Sequence, residues 1–493
     1  MAAQQYPDSP SLEQELNGLT REELTDLVRH CAPQALVTFY DEARTIAVQG
    51  TIDYKGSPFE NDGVSHFEYT EHRYLGDQLR LQGWDTAQPN NPAASVNPLK
   101  LKNGVSLSYG TINGLAGDFF SIVKPISAGA DAKDRSDRFK AAFDTLWSGD
   151  PKKIQAILGQ LQKEVDGINN ILQDSSIPDN GKAIRELYEK MDADLLNPLD
   201  VASKTGSNPG ASYKELLTTN LDHFAPNSRI IYDTGHAWAL EVAVGQDLPR
   251  AYAINAFADH FLEDNFASGH LRVPRGDMMD NLAKNICVNM MHNEDNTRGV
   301  QVKSQGSSTT PSTSWRAYGD SMLFDDVSKP GKTQCYSALK ASVDEVYEAY
   351  KTRTAKPATD FKAWDHAPTM TPALETPQSH DKENHPPMFR VVDGKVWQRK
   401  GLLPYKGEVS KNTKWEYEPV VGKGPKIPLT DISLVPQKYQ SYLEYLYWSI
   451  LAFRLTPYST MGTAIKKEVE GWLNTLPGPL SLLAGFWKTA TVS

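Results

Sequence analysis

Apolar residues recur at helical spacing along most of the chain. Residues 10–50 open on S-L-E-Q-E-L, a capping-box pattern, and continue as T-R-E-E-L-T-D-L-V, which predicts helix. Residues 85–110 are rich in Asn and Pro and predict loop. From about 134 to 195 the helical period is clear, as in I-Q-A-I-L-G-Q-L-Q-K-E-V. Three or four more amphipathic segments follow between 213 and 295. Six prolines then fall between Pro357 and Pro387, which reads as a linker or an extended strap. R-V-V-D-G-K-V-W signals a hairpin turning at Asp393-Gly394. The aromatic stripe of 439–451, Y-Q-S-Y-L-E-Y-L-Y-W-S-I-L, fits a core helix better than a membrane anchor. The pattern predicts a mainly α protein with a small mixed α/β C-terminal addition. Its parts would be an N-terminal helical extension (1–58), a helical domain (59–353), the Pro-rich linker or strap (354–387), and a hairpin with helices (388–493) that packs on the core or stands apart.

Composition narrows the class. The chain has 493 residues, 39% hydrophobic and 23% charged, as in a soluble globular protein too long for one ordinary core. Its 51 basic and 61 acidic residues leave a net charge of −10, which argues against tight non-specific binding to a nucleic-acid backbone. Three cysteines, Cys31, Cys287 and Cys335, are no disulfide framework and lean toward a reducing compartment. No secretory signal is visible at the start and no apolar run is long enough to span a membrane, so a cytoplasmic location is expected ahead of secretion.

The chemistry concentrates in one stretch, H-F-L-E-D-N-F-A-S-G-H, from His260 to His270. His260 and Asp264 stand four apart at the end of an apolar helical stripe and so share a face. Gly269 is a plausible terminator that would let His270 turn back toward them. Imidazole with carboxylate is the usual donor set for zinc and its borderline neighbours. Five of the 11 histidines, His223, His236, His260, His270 and His292, fall within 70 residues, several times the share their length predicts. Asp295 follows His292 by three on a second predicted helix. His223 stands where a loop meets a helix, and Asp118 follows a Gly in L-A-G-D-F-F. Each has a plainer reading. His223 could cap the following helix, Asp118 could be a turn residue, and His236 could be a core histidine, a ligand in place of His223, or a residue supporting the ligands. Arg272 and Arg275 flank Pro274 and suit phosphate contact, though salt bridging to acidic neighbours is as good an account. His72 and His385 read as structural or exposed. Trp315, Gly319 and Asp320 suggest packing. No G-x-S-x-G elbow or P-loop occurs.

His260-x3-Asp264-x5-His270, with H-F-A-P-N-S at His223 and M-M-H-N-E-D-N at His292, resembles the zinc-dependent phospholipase C and single-strand nuclease superfamily, over about residues 60–325. That resemblance implies a multi-helical phospholipase C-like domain holding two or three zinc ions. It places one zinc on Asp118, His223, His260 and Asp264. A second would take His270, His292 and a carboxylate near Asp295, with Glu294 as the alternative. A third would share Asp264 and use His66. It further implies a phosphoester substrate, such as a phospholipid, attacked at phosphorus by a metal-bound hydroxide with Asp118 as base, and Arg272 and Arg275 on the phosphate. The alternatives are a nuclease or nucleotidase on the same scaffold, with nucleic acid only as substrate, or a non-hydrolytic binding or biosynthetic protein keeping a partial metal site. Two departures from the family pattern matter. The first Trp is Trp84, so the family's N-terminal tryptophan ligand is unmatched, and Asn296 stands where the family places a glutamate four after the histidine.

Overall fold

The computed structural model describes residues 69–84, 98–207, 209–279, 282–369, 384–399, 417–419, 448–449, 451–452, 460–473 and 487. The helices expected in 10–50, and His66 with them, lie outside the described residues.

The protein is mainly helical. It begins with α1 (Tyr69–Asp77), a small antiparallel pair β1 (Leu99–Lys100) and β2 (Ser106–Leu107), and α2 (Tyr109–Leu115), which packs against α1. Part of the expected 85–110 loop is therefore structured. Leu99, Leu101 and Leu107 are buried, and that apolar anchoring outweighs the loop-like composition around them. Then come α3 (Ala132–Trp147), α4 (Pro151–Gln173) and α5 (Asn180–Ser203). Asp150 caps α4 by accepting from the Lys152 N–H, and Pro151 sits in the first turn, where no N–H is missed. The buried stripe Ile154, Ile157, Leu161, Val165 and Ile168 has helical period, which is why α4 lies flat on its neighbours, α5 among them.

A short helix α6 (Tyr213–Thr218), held by a Ser212–Glu215 capping box, leads to α7 (Asn227–Val244) and α8 (Leu248–Asp264). Every residue from Ala251 to Asp264 is buried, so α8 is the central helix, apolar on nearly all sides. It packs closely on α7. A Cβ at Gly235 of α7 would come within 2.8 Å of the Ala258 Cβ and 2.2 Å of the Phe139 ring, so only glycine allows that approach. The one-turn α9 (Ser268–Leu271) and α10 (Leu282–Arg298) follow, then the antiparallel pair β3 (Val300–Lys303) and β4 (Ser314–Ala317), and α11 (Lys329–Thr352), which packs on α7 and α8.

From Phe361 on, the described part of the Pro-rich stretch lies on the core, while residues 354–360 are exposed. Phe361 and Trp364 are buried, and the Trp364 indole N–H donates to Asp233 at 2.7 Å. Two aromatics among the prolines anchor it. The hairpin of β5 (Phe389–Val392) and β6 (Lys395–Arg399) turns at Asp393 and Gly394, both with positive φ, and β7 (Tyr417–Pro419) pairs with β6. It docks on α10 through the buried pair Arg399–Glu294, at 2.9 Å. Further on is α12 (Thr460–Leu473), and Trp448 and Leu451 of the aromatic stripe are buried. Among the described residues, no helix is long and apolar enough to cross a membrane.

Candidate metal centre

The C-terminal turn of α8 is the root of the centre. His260 and Asp264, one turn apart, face the same way because α8 runs straight through to Asp264. The His260 Nδ1–H donates to the Asn113 carbonyl at 3.0 Å, which turns Nε2 inward as the available ligand atom. Asp118 arrives on the loop after α2, with Oδ2 at 3.5 Å from His260 Nε2 and Oδ1 at 3.4 Å from His223 Nε2. The loop can pass so close because Gly117 has φ +71 and no side chain. A Cβ there would lie 2.6 Å from His223 Cε1 and 3.0 Å from His260 Nε2. His223 ends a short 3-10 turn, Leu221–His223. Asp222 pins that turn by accepting from the Ile126 and Ser127 amides and the Ser127 hydroxyl.

The two Asp264 oxygens serve different neighbours. Oδ2 lies 3.0 Å from His223 Nδ1, and Oδ1 lies 3.1 Å from His270 Nδ1. Asp264 is therefore the joint between two halves. In the second half, His270, His292 and Asp320 converge, with His292 Nε2 at 3.0 Å and His270 Nε2 at 3.7 Å from Asp320 Oδ2. Gly269 does not terminate a helix as the sequence suggests. It lies inside α9, where its N–H donates to Asn296 Oδ1 at 2.6 Å, and Asn296 also donates to Asp320 at 3.3 Å.

Electrostatics divide the ligands. Burial lifts the Asp118 carboxyl to about 7, with Asp264 adding to the rise. Burial would lift Asp264 too, but His223, His260 and His270 hold it well below the carboxylate range. Burial and the neighbouring His72 keep His260 neutral, as a ligand must be. Burial opposes protonation of His223, yet Asp118 and Asp264 hold it at about 9. Burial of Asp320 is likewise outweighed by His270 and His292, which bring it to about 2. Both Asp118 oxygens and Asp264 Oδ1 are buried with no hydrogen-bond donor among the described residues. Buried carboxylate oxygens without donors are costly, and a divalent cation satisfies them. The donor set of imidazole nitrogen and carboxylate oxygen fits such an ion. The first position would use Asp118, His223 and His260, with Asp264 beside it, and the second His270, His292 and Asp320. His72 forms an alternative triad with His260 and Asp264. Since His260 offers only Nε2, the two triads it joins compete for one atom.

Several expected residues go elsewhere. Asp295 is not in the cluster. It receives a bidentate ion pair from Arg272, at 2.8 and 2.6 Å, and His385 Nε2 lies 2.8 Å from it. Arg272 is thereby committed and buried, and does not face a substrate. Arg275 is also buried, over the Phe224 ring, with its Nε lacking an acceptor. Phe224 stands between it and His270. Glu294 holds Arg399. His236 sits in a buried network with Asn255, at 2.5 Å, and Glu345, at 3.2 Å, away from the cluster.

Two residues of the centre were missed in the sequence. His72 of α1 stacks on His260 at 4.2 Å between ring centroids, and its Nδ1–H donates to Glu263 at 2.5 Å, leaving Nε2 toward the site. Asp320 follows Gly319 in the loop after β4, and supplies the carboxylate that Asp295 does not. The G-D pair was visible, but nothing local ties it to His292. A small cleft opens on this face, lined by His72, Glu263, Asp264 and Asp320 among others. Comparison with protein-family models, with curated proteins and with solved structures finds no match for this chain.

Proposed function

We propose that the protein is a zinc-dependent hydrolase of phosphoester bonds. The observation that carries the reading is Asp264, whose two oxygens join two His/Asp clusters at the end of one cleft. Paired divalent ions, when bound, polarise a phosphoryl oxygen and bring the pKa of water toward neutrality. The chain supplies the rest. His223, His260, His270 and His292 fix the donor geometry. Asn113, Glu263 and Asn296 hold those rings or their partners in place. Asp118, with no donor on either oxygen among the described residues, accepts the proton of the attacking water at one of them. Water adds to phosphorus, the ester P–O bond breaks, and the alcohol leaves with a proton.

The test is elemental analysis of protein purified without added metal, alongside hydrolysis of a panel containing phosphatidylcholine, bis(p-nitrophenyl) phosphate and single-stranded DNA. Two zinc ions per chain are expected, with Asp264→Asn losing both and Asp320→Asn losing about one. Hydrolysis of the panel should fall at least 100-fold in Asp264→Asn. Trace metal unchanged by either substitution would overturn the reading. Metal without turnover would leave a non-hydrolytic binding protein, and turnover of DNA alone would make it a nuclease.

A further inference from the structure

Besides His72, Asp264 and Asp320, the cleft is walled by Ser328, Gly331 and Lys332, the start of α11. This 24-residue helix has no side-chain cap, and Pro330 occupies its first turn. The Lys329 amide donates to the Asp326 carbonyl and Pro330 has no N–H, so Gly331 is the first residue that can offer an amide at the positive end of the helix dipole. Around them, donors gather without acceptors. The Ser328 hydroxyl is buried, lines the cleft and makes no hydrogen bond among the described residues. The Trp315 indole N–H is buried and unsatisfied, and lies 3.3 Å from where a Gly331 Cβ would be. Gly331 leaves the backbone open to approach. Lys332 rests over the Tyr74 and Phe324 rings, at 4.4 and 5.2 Å, with no carboxylate paired to it among the described residues. By contrast, two acidic groups of the cleft, Glu71 and Glu263, are already engaged, and Asp264 and Asp320 belong to the metal centre. Glu71 accepts from the Ser321 and Leu323 amides, and Glu263 from His72 and Asn113.

We infer that the start of α11, with Ser328, Gly331 and Lys332, binds an oxyanion group of the substrate while its phosphoester lies at the His/Asp clusters. The substrate class is thus a phosphoester that carries a second anionic group, a phosphate or a carboxylate, elsewhere on the molecule. The Gly331 amide, the Ser328 hydroxyl and the Lys332 ammonium together offer the donors an oxyanion takes at a helix start. This inference rests on the phosphoester reading for what occupies the His/Asp clusters. The anion site itself is tested without turnover.

The probes are α,ω-alkanediol bisphosphates with three to six methylenes, set against alkyl monophosphates of equal length. Binding to the full chain with its metal is measured by calorimetry. At least one bisphosphate is expected to bind ten-fold or more tighter than its monophosphate. In Lys332→Gln the advantage should shrink to less than two-fold, and in Ser328→Ala it should weaken while the fold is kept, because Ser328 makes no cap bond to lose. The matching ω-phosphocarboxylates distinguish a second phosphate from a carboxylate. Equal affinities in the wild type, no binding of either probe, or an advantage that survives in both variants would overturn the inference. Discrimination without hydrolysis of any ester would leave the anion site standing and defeat the hydrolase. Hydrolysis without discrimination would do the reverse.

Discussion

At the scale of single residues, Gly117 is the position where the centre depends on the absence of a side chain. Its φ of +71 costs an L-residue about 1–2 kcal/mol, and the added methyl would press on His223 and His260. Gly117→Ala is therefore expected to lower the Tm by several degrees and to reduce metal content at the first position. A variant with wild-type metal content would show that the loop can retreat without disturbing the rings. What the sequence made legible at this scale follows from range. His260, Asp264 and His270 lie within 11 residues, and the helical period alone puts the first two on one face. His223 and His292 stand out because each lies at an end of a predicted helix, and Asp118 because it follows a Gly in an apolar segment. His72 was passed over, since its pairing with Glu263 links residues 191 apart. Helical spacing favours Asp295 over Glu294 because it shares a face with His292, and Asp320 reads as packing. That argument could not see Arg272, two residues past His270, reaching across to claim it.

At the scale of elements, α10 is held from both sides. One side presents His292 to the centre. The next turn presents Glu294 and Asp295 to Arg399 and to Arg272 with His385, all buried. Phe389 adds a backbone N–H to Met291 Sδ at 3.3 Å, and Asn384 pairs with the Gln301 backbone at the start of β3. The C-terminal hairpin thus acts as a latch that fixes the helix carrying a ligand. The hairpin itself was readable from Asp393-Gly394. Its docking was not, because the basic partner of Glu294 lies 105 residues away. Removing one member of a fully buried ion pair leaves the other charge uncompensated, at a cost of about 3–5 kcal/mol. Arg399→Met should lose that much in urea unfolding, and should release metal from the second position before the first. Arg399→Met combined with Glu294→Met should recover much of the loss. If the double variant is no better than the single one, the pair is not the latch. Gel-filtration and circular dichroism of each variant would keep misfolding apart from local loosening.

For the whole molecule, the buried cluster ties stability to pH through the metal. In the metal-free protein, burial raises Asp118 and Glu263 to about 7. Unfolded, these carboxyls ionise near 4, so the folded state loses stability as pH rises from about 4 to 7. Against the pull of burial, Glu263 holds His72 at about 9, and Asp118 and Asp264 hold His223 at about 9. Imidazoles raised above their unfolded pKa of about 6.5 stabilise fully below it, and that contribution disappears as pH rises toward 9. Above pH about 6.5, where His260, held neutral, no longer opposes them, these groups act in one direction and weaken the metal-free protein toward mildly basic pH. Ligands must shed those protons to bind a cation, so metal affinity climbs over the same range. Binding to the folded state alone then adds stability as RT ln(1 + [L]/Kd). The gap in Tm between zinc-loaded and chelator-treated protein should accordingly widen between pH about 6.5 and 8, because one curve falls while the other is held up. Differential scanning calorimetry at fixed free zinc measures it. A gap that stays constant or narrows with rising pH would mean that these carboxylates and imidazoles do not meet the metal. His72, Asp118 and His223 would then be a proton-sharing core, whose charges the metal-free fold has already balanced among themselves.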